Sequence, residues 1–300
     1  MNEEPANQYS IDFRTGYSTA IISREVSESI RSACTSLNRR RAGGILESSK
    51  VSSPGEQISP DVWAASFEGI AHSWQVPLVP LEKLGFERDE DGFIKSHDLS
   101  PLPSGAEAYP FHDEEYEVVY KLFDLRPNGS LGKKLALVHD EDGNLDVQLR
   151  DATLFDTLEK LIVLNDTGGL VSEIVGLAET GDYLISKQPF ANPREDFESD
   201  REFSLHEIKA IPPIGVTLRN RVAVIWYGGR SWLLGDLHEK NIMRSNNKPT
   251  IIDALIGPIP PQFLTESSWL ALAVEDARVY RESGQPPLRK AFEDVDESEL

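Results

Sequence analysis

Two short runs toward the C-terminal end constrain this chain more than the rest of it together: Gly235-Asp-Leu-His-Glu-Lys-Asn241 and Ile251-Ile-Asp-Ala-Leu255. They set out an acid, an amide five residues on, and a second acid twelve residues after that. Carboxylate and amide oxygens are hard donors suited to a divalent cation such as Mg²⁺. The flanks dictate where these groups stand. Ala223-Val-Ile-Trp-Tyr227 and Ser231-Trp-Leu-Leu234 are apolar and β-prone, with Gly228-Gly229 as the turn between them. Asp236 is therefore expected just beyond a buried strand. A second apolar strand, Thr250 to Ile252, carries Asp253 at its end, which brings both acids to one edge of the same small sheet. The plain alternative is that Asp236 and Asn241 are ordinary turn residues, since both types favour turns.

Moving a phosphoryl group needs spread negative charge to be neutralised, and metal ions held by such oxygens do this. Asp253 and Asn241 supply the metal-binding oxygens. Asp236 is assigned as the base or positioner of an attacking hydroxyl, a role that leaves it unable to serve as metal ligand as well. The run GDLHEKNIM followed by IIDAL resembles the catalytic loop and metal-binding segment shared by protein kinases and aminoglycoside-type kinases. Leu234 stands where their histidine stands, and Ala254-Leu255 replace the Phe-Gly of protein kinases.

The resemblance directs attention upstream. In Val118-Val-Tyr-Lys-Leu-Phe123 a lysine lies within an apolar, strand-like run, and its ammonium needs an anion such as nucleotide phosphates to offset desolvation. A lysine reaching water from an edge strand is the alternative. Kinases pair this lysine with a helical glutamate. Here a helix is expected over about 151–165, with Leu154, Leu158, Leu161 and Ile162 on its apolar stripe and Gly168-Gly169 as its stop. Glu159 beside that stripe is the candidate partner of Lys121, with a solvated surface glutamate as the alternative. Gly105, in Ser-Gly-Ala-Glu-Ala, is the single glycine available for a turn over the phosphates. Asp182 begins an apolar strand that runs into Lys187-Gln188-Pro189-Phe190, where a kinase hinge would fall, so the main chains of Lys187 and Gln188 are the candidate adenine contacts.

Taken in order, these segments resemble the serine/threonine/tyrosine kinase-like domain of bacterial polyvalent proteins, a group associated with phages and conjugative elements. The resemblance covers residues 104–261 and implies a two-lobed, protein kinase-like α+β fold. It implies a β-rich N-lobe at 100–189 and a reduced helical C-lobe at 190–300, preceded by an N-terminal extension at 1–99. ATP and Mg²⁺ are the implied cofactors, and a protein or small-molecule hydroxyl is the implied acceptor. Two other readings stay open. The thin glycine turn fits a pseudokinase serving as a nucleotide-binding or interaction module. The Asp-Leu-His form of the loop fits a small-molecule kinase of the aminoglycoside type.

Composition sets the outer bounds. The net charge of −20, from 30 basic against 50 acidic residues, argues against general nucleic-acid affinity, which depends on Lys and Arg neutralising phosphates. The one dense basic cluster, Arg39-Arg-Arg41, reads as a solvated loop in a Ser-rich stretch. With no apolar run of about 18 residues and no signal-peptide pattern at Met1-Asn-Glu-Glu-Pro-Ala6, a cytoplasmic protein without membrane contact is expected. The single cysteine, Cys34, excludes an intramolecular disulfide. His72, His97, His112, His139 and His206 lack metal-ligand spacing. In the extension, Ile22, Val26, Ile30 and Leu37 recur near helical spacing, Trp63, Phe67, Ile70 and Trp74 form a second helical face, and residues 41–59 are expected to be flexible. After Asp253, Thr265 is the expected cap of a helix through Arg281 with Trp269, Ala273 and Tyr280 inward, and the 47 residues that remain (300 − 253) hold no Ala-Pro-Glu element of a peptide-docking platform.

Overall fold

Short β-branched and aromatic runs punctuated by glycine and asparagine turns make this an α+β protein dominated by sheet. The computed structural model describes residues 9–11, 14, 18–21, 77–89, 93–103, 105, 107–126, 129, 131–193, 196–211 and 222–287. The expected extension helices, the 41–59 stretch, the arginine cluster, Cys34, His72 and the acidic tail lie outside the described residues. No described helix is long and apolar enough to cross a membrane.

In chain order the elements begin with β1 (Tyr9–Ile11), β2 (Ser18–Ile21), β3 (Leu78–Val79), a 3-10 turn (Leu81–Leu84), β4 (Phe86–Arg88), β5 (Ile94–Ser96) and β6 (Ser100–Pro101). They continue with β7 (Tyr109–Asp113), β8 (Val118–Asp124), β9 (Lys133–His139), β10 (Leu145–Asp151), α1 (Leu154–Thr167), β11 (Glu173–Ala178) and β12 (Tyr183–Pro189). The remainder is α2 (Phe197–Glu207), β13 (Ala223–Tyr227), β14 (Arg230–Gly235), β15 (Ile242–Ser245), β16 (Lys248–Ile251), β17 (Leu255–Pro258), α3 (Pro261–Glu266) and α4 (Ser268–Ser283).

The chain divides into two compact units, residues 1–132 with 172–190, and residues 133–171 with 191–300. Residues 133–171, which the sequence reading places with 100–189, group with the C-terminal residues. Burial explains this: Leu135 and Leu137 of β9 share a core with Val224, Leu233 and Ala273.

The sheet of the first unit runs β1-β2-β11-β12-β8-β7-β6, with β3 parallel to β11. Its core gathers Phe86, Phe111, Tyr120, Leu122, Tyr183 and Ile185. The second unit holds the β9-β10 hairpin, a β13-β14-β17 sheet and a β15-β16 ribbon. Leu270, Ala273, Ala277 and Tyr280 of α4 close the core formed with Val224 and Leu233. The expected helix after Thr265 is in fact two. Ser267, whose Oγ accepts from the Leu270 N–H at 3.3 Å, caps the longer one, while the Thr265 hydroxyl donates back to the Gln262 carbonyl. Trp269 is only half-buried.

β9 and β17 pass so closely that a Cβ on Gly257 would lie 1.9 Å from the Leu135 carbonyl oxygen. Only glycine fits there without moving backbone. Gly257→Ala is expected to cost about 3 kcal/mol through overpacking. Gly143→Ala, at a left-handed turn position with open space around it, is expected to cost about 1 kcal/mol. Thermal denaturation of the full chain checks the order; equal losses would refute the close-approach argument.

Candidate functional site

β14 is the central strand of its sheet, hydrogen-bonded to β13 on one side and β17 on the other. Trp232, Leu233 and Leu234 are buried along it, as their apolar run requires. Gly228 and Gly229 both take positive φ, the two-residue hairpin geometry that suits the twist of the flanking strands. The chain leaves the sheet at Asp236, which adopts the left-handed region at φ 62° and turns its carboxylate to the exposed end of the strand. Leu237, fully buried among Leu234, Ile242 and Ile251, anchors the loop that follows.

Within that loop the side chains hold one another. Asn241 Nδ2 donates to the Asp236 carbonyl at 2.9 Å and to Asp236 Oδ2 at 3.0 Å. Both acceptors are oxygens, so the amide must present its nitrogen to Asp236 and turn its own oxygen away. His238 Nδ1 accepts from the Lys240 N–H at 3.0 Å, which in a neutral ring puts the proton on Nε2, 3.3 Å from Asp236 Oδ1. Asp236 is thus approached from two sides, by the Asn241 amide and the His238 ring.

Asn246 and Asn247, both at positive φ, close the β15-β16 ribbon with Ile242 opposite Ile251. One further bond, from the Ile252 N–H to the Asn241 carbonyl at 2.9 Å, carries the register past the ribbon's end. Asn241 and Asp253 therefore emerge together. The sequence reading puts both acids on the edge of one sheet through the strand before Asp253. That strand, β16, belongs to the separate ribbon instead. It is β17, after Asp253, that joins β14, with Gly235 opposite Leu255, so Asp236 and Asp253 reach the same end of the β14-β17 pair by another route.

Asp253 is held by a residue the sequence reading passed over. Its Oδ1 accepts from the Ala254 N–H at 2.8 Å and from Lys160 Nζ at 2.9 Å. Lys160 lies on α1 and is 4% exposed. The helix is set by a capping box between Thr153 and Asp156, and stops at Gly168 in a left-handed turn. The Leu170 N–H then donates to the Ile251 carbonyl at 2.9 Å, fastening the helix end to the strand before Asp253. Leu161-Ile-Val-Leu164 is apolar without interruption. That pattern marks a helix buried over more than one stripe, and it is the signal by which Lys160 could have been found.

Glu159, the expected partner of Lys121, has a partner in its own unit. Its carboxylate pairs with Arg230, whose guanidinium lies 3.9 Å from the centre of the Trp232 ring.

The remaining candidates lie in the first unit. Lys121 is half-buried at the middle of β8, between Ser186 of β12 and Pro110 of β7, neither of which carries charge. Gly105 is exposed, with open space where a Cβ would stand. Lys187 is flanked by Glu173 of β11 and Tyr120 of β8, so its main-chain groups meet neighbouring strands on both sides, which argues against an adenine contact through its backbone. Its ammonium lies 3.5 Å from Glu173. Gln188 faces Val119 of β8, and its side chain accepts from the Ser172 hydroxyl at 3.3 Å.

The donor set can be weighed against Mg²⁺. Asp253 offers a carboxylate already sharing one oxygen with Lys160, and Asn241 offers an amide oxygen. Two such ligands suit an ion that keeps several waters and takes further oxygens from phosphates, rather than one caged by protein. Among the described residues no group of three or more His, Cys, Asp or Glu side chains gathers to hold a metal. Comparison with protein-family models, with curated proteins and with solved structures finds no match to this chain.

Acid stability follows from the cap of α1. Burial works against the charged form of Asp156, but the Lys134 ammonium at 2.7 Å and the Thr153 hydroxyl and N–H outweigh it and hold the carboxyl below its ordinary range. The folded pKa is depressed, so this stabilisation is full above the unfolded value of about 3.9 and is lost as pH falls through the lower folded value. Asp156→Asn is expected to lower stability at neutral pH and to flatten its decline in acid, as read by denaturant melts across pH.

Proposed function

We propose that the chain is a two-lobed, protein kinase-like phosphotransferase that moves the γ-phosphoryl group of ATP to a hydroxyl with Mg²⁺. The observation that carries the reading is the convergence of Asp236, Asn241 and Asp253 at one end of the β14-β17 pair, by way of the Ile252-Asn241 hydrogen bond. Lys121 at the middle of β8 adds support, because kinases carry the phosphate-pairing lysine on a strand.

In this reading Asp236 accepts a hydrogen bond from the attacking hydroxyl and receives its proton as the new bond forms. The Asn241 amide donates to the carboxylate, and the His238 ring lies 3.3 Å from its other oxygen, so both hold it for that task. The left-handed backbone at Asp236 lifts the carboxylate clear of the strand end. Asn241 and Asp253 would hold Mg²⁺, which when bound supplies positive charge to the phosphate oxygens. Within the first unit, Lys121 is the cation this reading offers to nucleotide phosphates, and Gly105 has open space where a Cβ would stand.

A competing reading is a pseudokinase, an interaction module without turnover. The specific observation in its favour is the Lys160-Asp253 ion pair, which occupies one oxygen of the presumed metal ligand.

The two readings separate on purified protein. Under the phosphotransferase reading, calorimetric titration is expected to show ATP binding that strengthens with Mg²⁺ and loses that Mg²⁺ dependence in Asp253→Asn. Asp236→Asn is expected to keep nucleotide binding while lowering transfer to a generic acceptor, or to the protein itself, by about 10²- to 10⁴-fold. Undiminished transfer in Asp236→Asn would overturn its role as base. Absence of ATP binding under every condition would favour the pseudokinase.

A further inference from the structure

Lys160 is a buried cation aimed at the carboxylate that the proposed reaction needs for its metal. An ammonium is costly to bury unless a charge partner meets it, and Asp253 Oδ1, 2.9 Å away, is such a partner. Neither group is placed by chance. Leu164, one turn beyond Lys160 on α1, shares a core with Ile251 and Ala254, the residues bracketing the Asp253 segment, and the Leu170-Ile251 hydrogen bond pins the end of the helix. The lysine itself is only 4% exposed.

A divalent cation arriving alone at Asp253 would meet this ammonium on the same, partly buried carboxylate. Like charges at that range repel strongly where water is scarce. A cation arriving with polyphosphate brings net negative charge, and the ammonium then gains a further anionic neighbour instead of a rival. We propose that Lys160 is a charge gate on Asp253, which makes capture of the metal conditional on a polyphosphate, so that the site takes a metal-nucleotide complex and rejects the free ion. The inference rests on the phosphotransferase reading for the identity of the metal ligand and extends it to the order of binding. Lys160 is a positioning residue here, acting on the metal through Asp253.

The test reads metal binding, not turnover. Mn²⁺ is titrated into the full chain without nucleotide and followed by the loss of its free paramagnetic resonance signal, with Asp253→Asn as the subtraction for sites elsewhere on this acidic surface. Wild type is expected to show no Asp253-dependent site, or one only in the millimolar range. Lys160→Met and Lys160→Gln, which remove the charge while the latter keeps a donor, are expected to gain an Asp253-dependent site at least tenfold tighter, and the Lys160→Met/Asp253→Asn double variant to lose it. A lysine with a purely structural role would not produce a gain. The proposal is overturned if folded Lys160→Met and Lys160→Gln, checked by circular dichroism, bind no tighter than wild type, or if the gain survives in the double variant. Should both variants fail to fold, wild type decides: tight, Asp253-dependent Mn²⁺ binding without nucleotide overturns the gate, and its absence supports it. Failure of the phosphotransferase reading appears separately, as loss of ATP binding in wild type.

Discussion

A single backbone hydrogen bond, from the Ile252 N–H to the Asn241 carbonyl, decides whether the candidate site exists. It extends the β15-β16 register by one step beyond Ile242 and Ile251, and so brings the end of one loop against the start of another. Antiparallel pairing is unforgiving in this respect, because a slip of one residue would turn every side chain to the opposite face. The buried side chains of Ile242 and Ile251 guard against that slip, since either would be driven into water by it. The paired asparagines at positive φ set the turn length and thus the same register from the other end.

Charge inside the second unit is organised around the same ribbon. Arg244 of β15 makes two hydrogen bonds, at 2.9 and 2.7 Å, to Asp200, which is 2% exposed on α2. Lys160 approaches the other end of the ribbon from α1. Both are cases in which one buried charge, Asp200 or Lys160, is tolerable because its partner arrives with fixed geometry, so that removing that partner would strand it. The ribbon is therefore held in place by two ion pairs from two helices as well as by its own ladder. Among the described residues, buried Lys160 meets Asp253 and buried Asp200 meets Arg244, so each of these buried charges faces its opposite.

Local sequence announced much of this. The apolar runs at 223–227 and 231–234 with glycines between them became β13 and β14 with their turn, and the periodic stretch ending at Gly168-Gly169 became α1. Such elements are legible because strand alternation, helix spacing and glycine turns are properties of a few neighbouring residues. Asp236, Asn241 and Asp253 were legible as a set because each lies at the end of such an element. Lys160 went unread for the opposite reason. Helical spacing puts Glu159 and Lys160 on adjacent positions, and which of the two faces the interior depends on what covers the helix. The continuous apolar run that follows them blurs the single stripe from which that choice is made.

The sequence by itself determined the element types, the turn positions and which acids and amide stand at the strand ends, since these depend on side-chain type and short-range geometry. Only the tertiary structure decided the partners. Arg230 takes Glu159, Lys160 takes Asp253, β17 and not β16 joins β14, and residues 133–171 fold with the C-terminal unit. Each of these pairs residues far apart in the chain, and each is settled by which apolar surfaces bury together and which buried charges must then be matched.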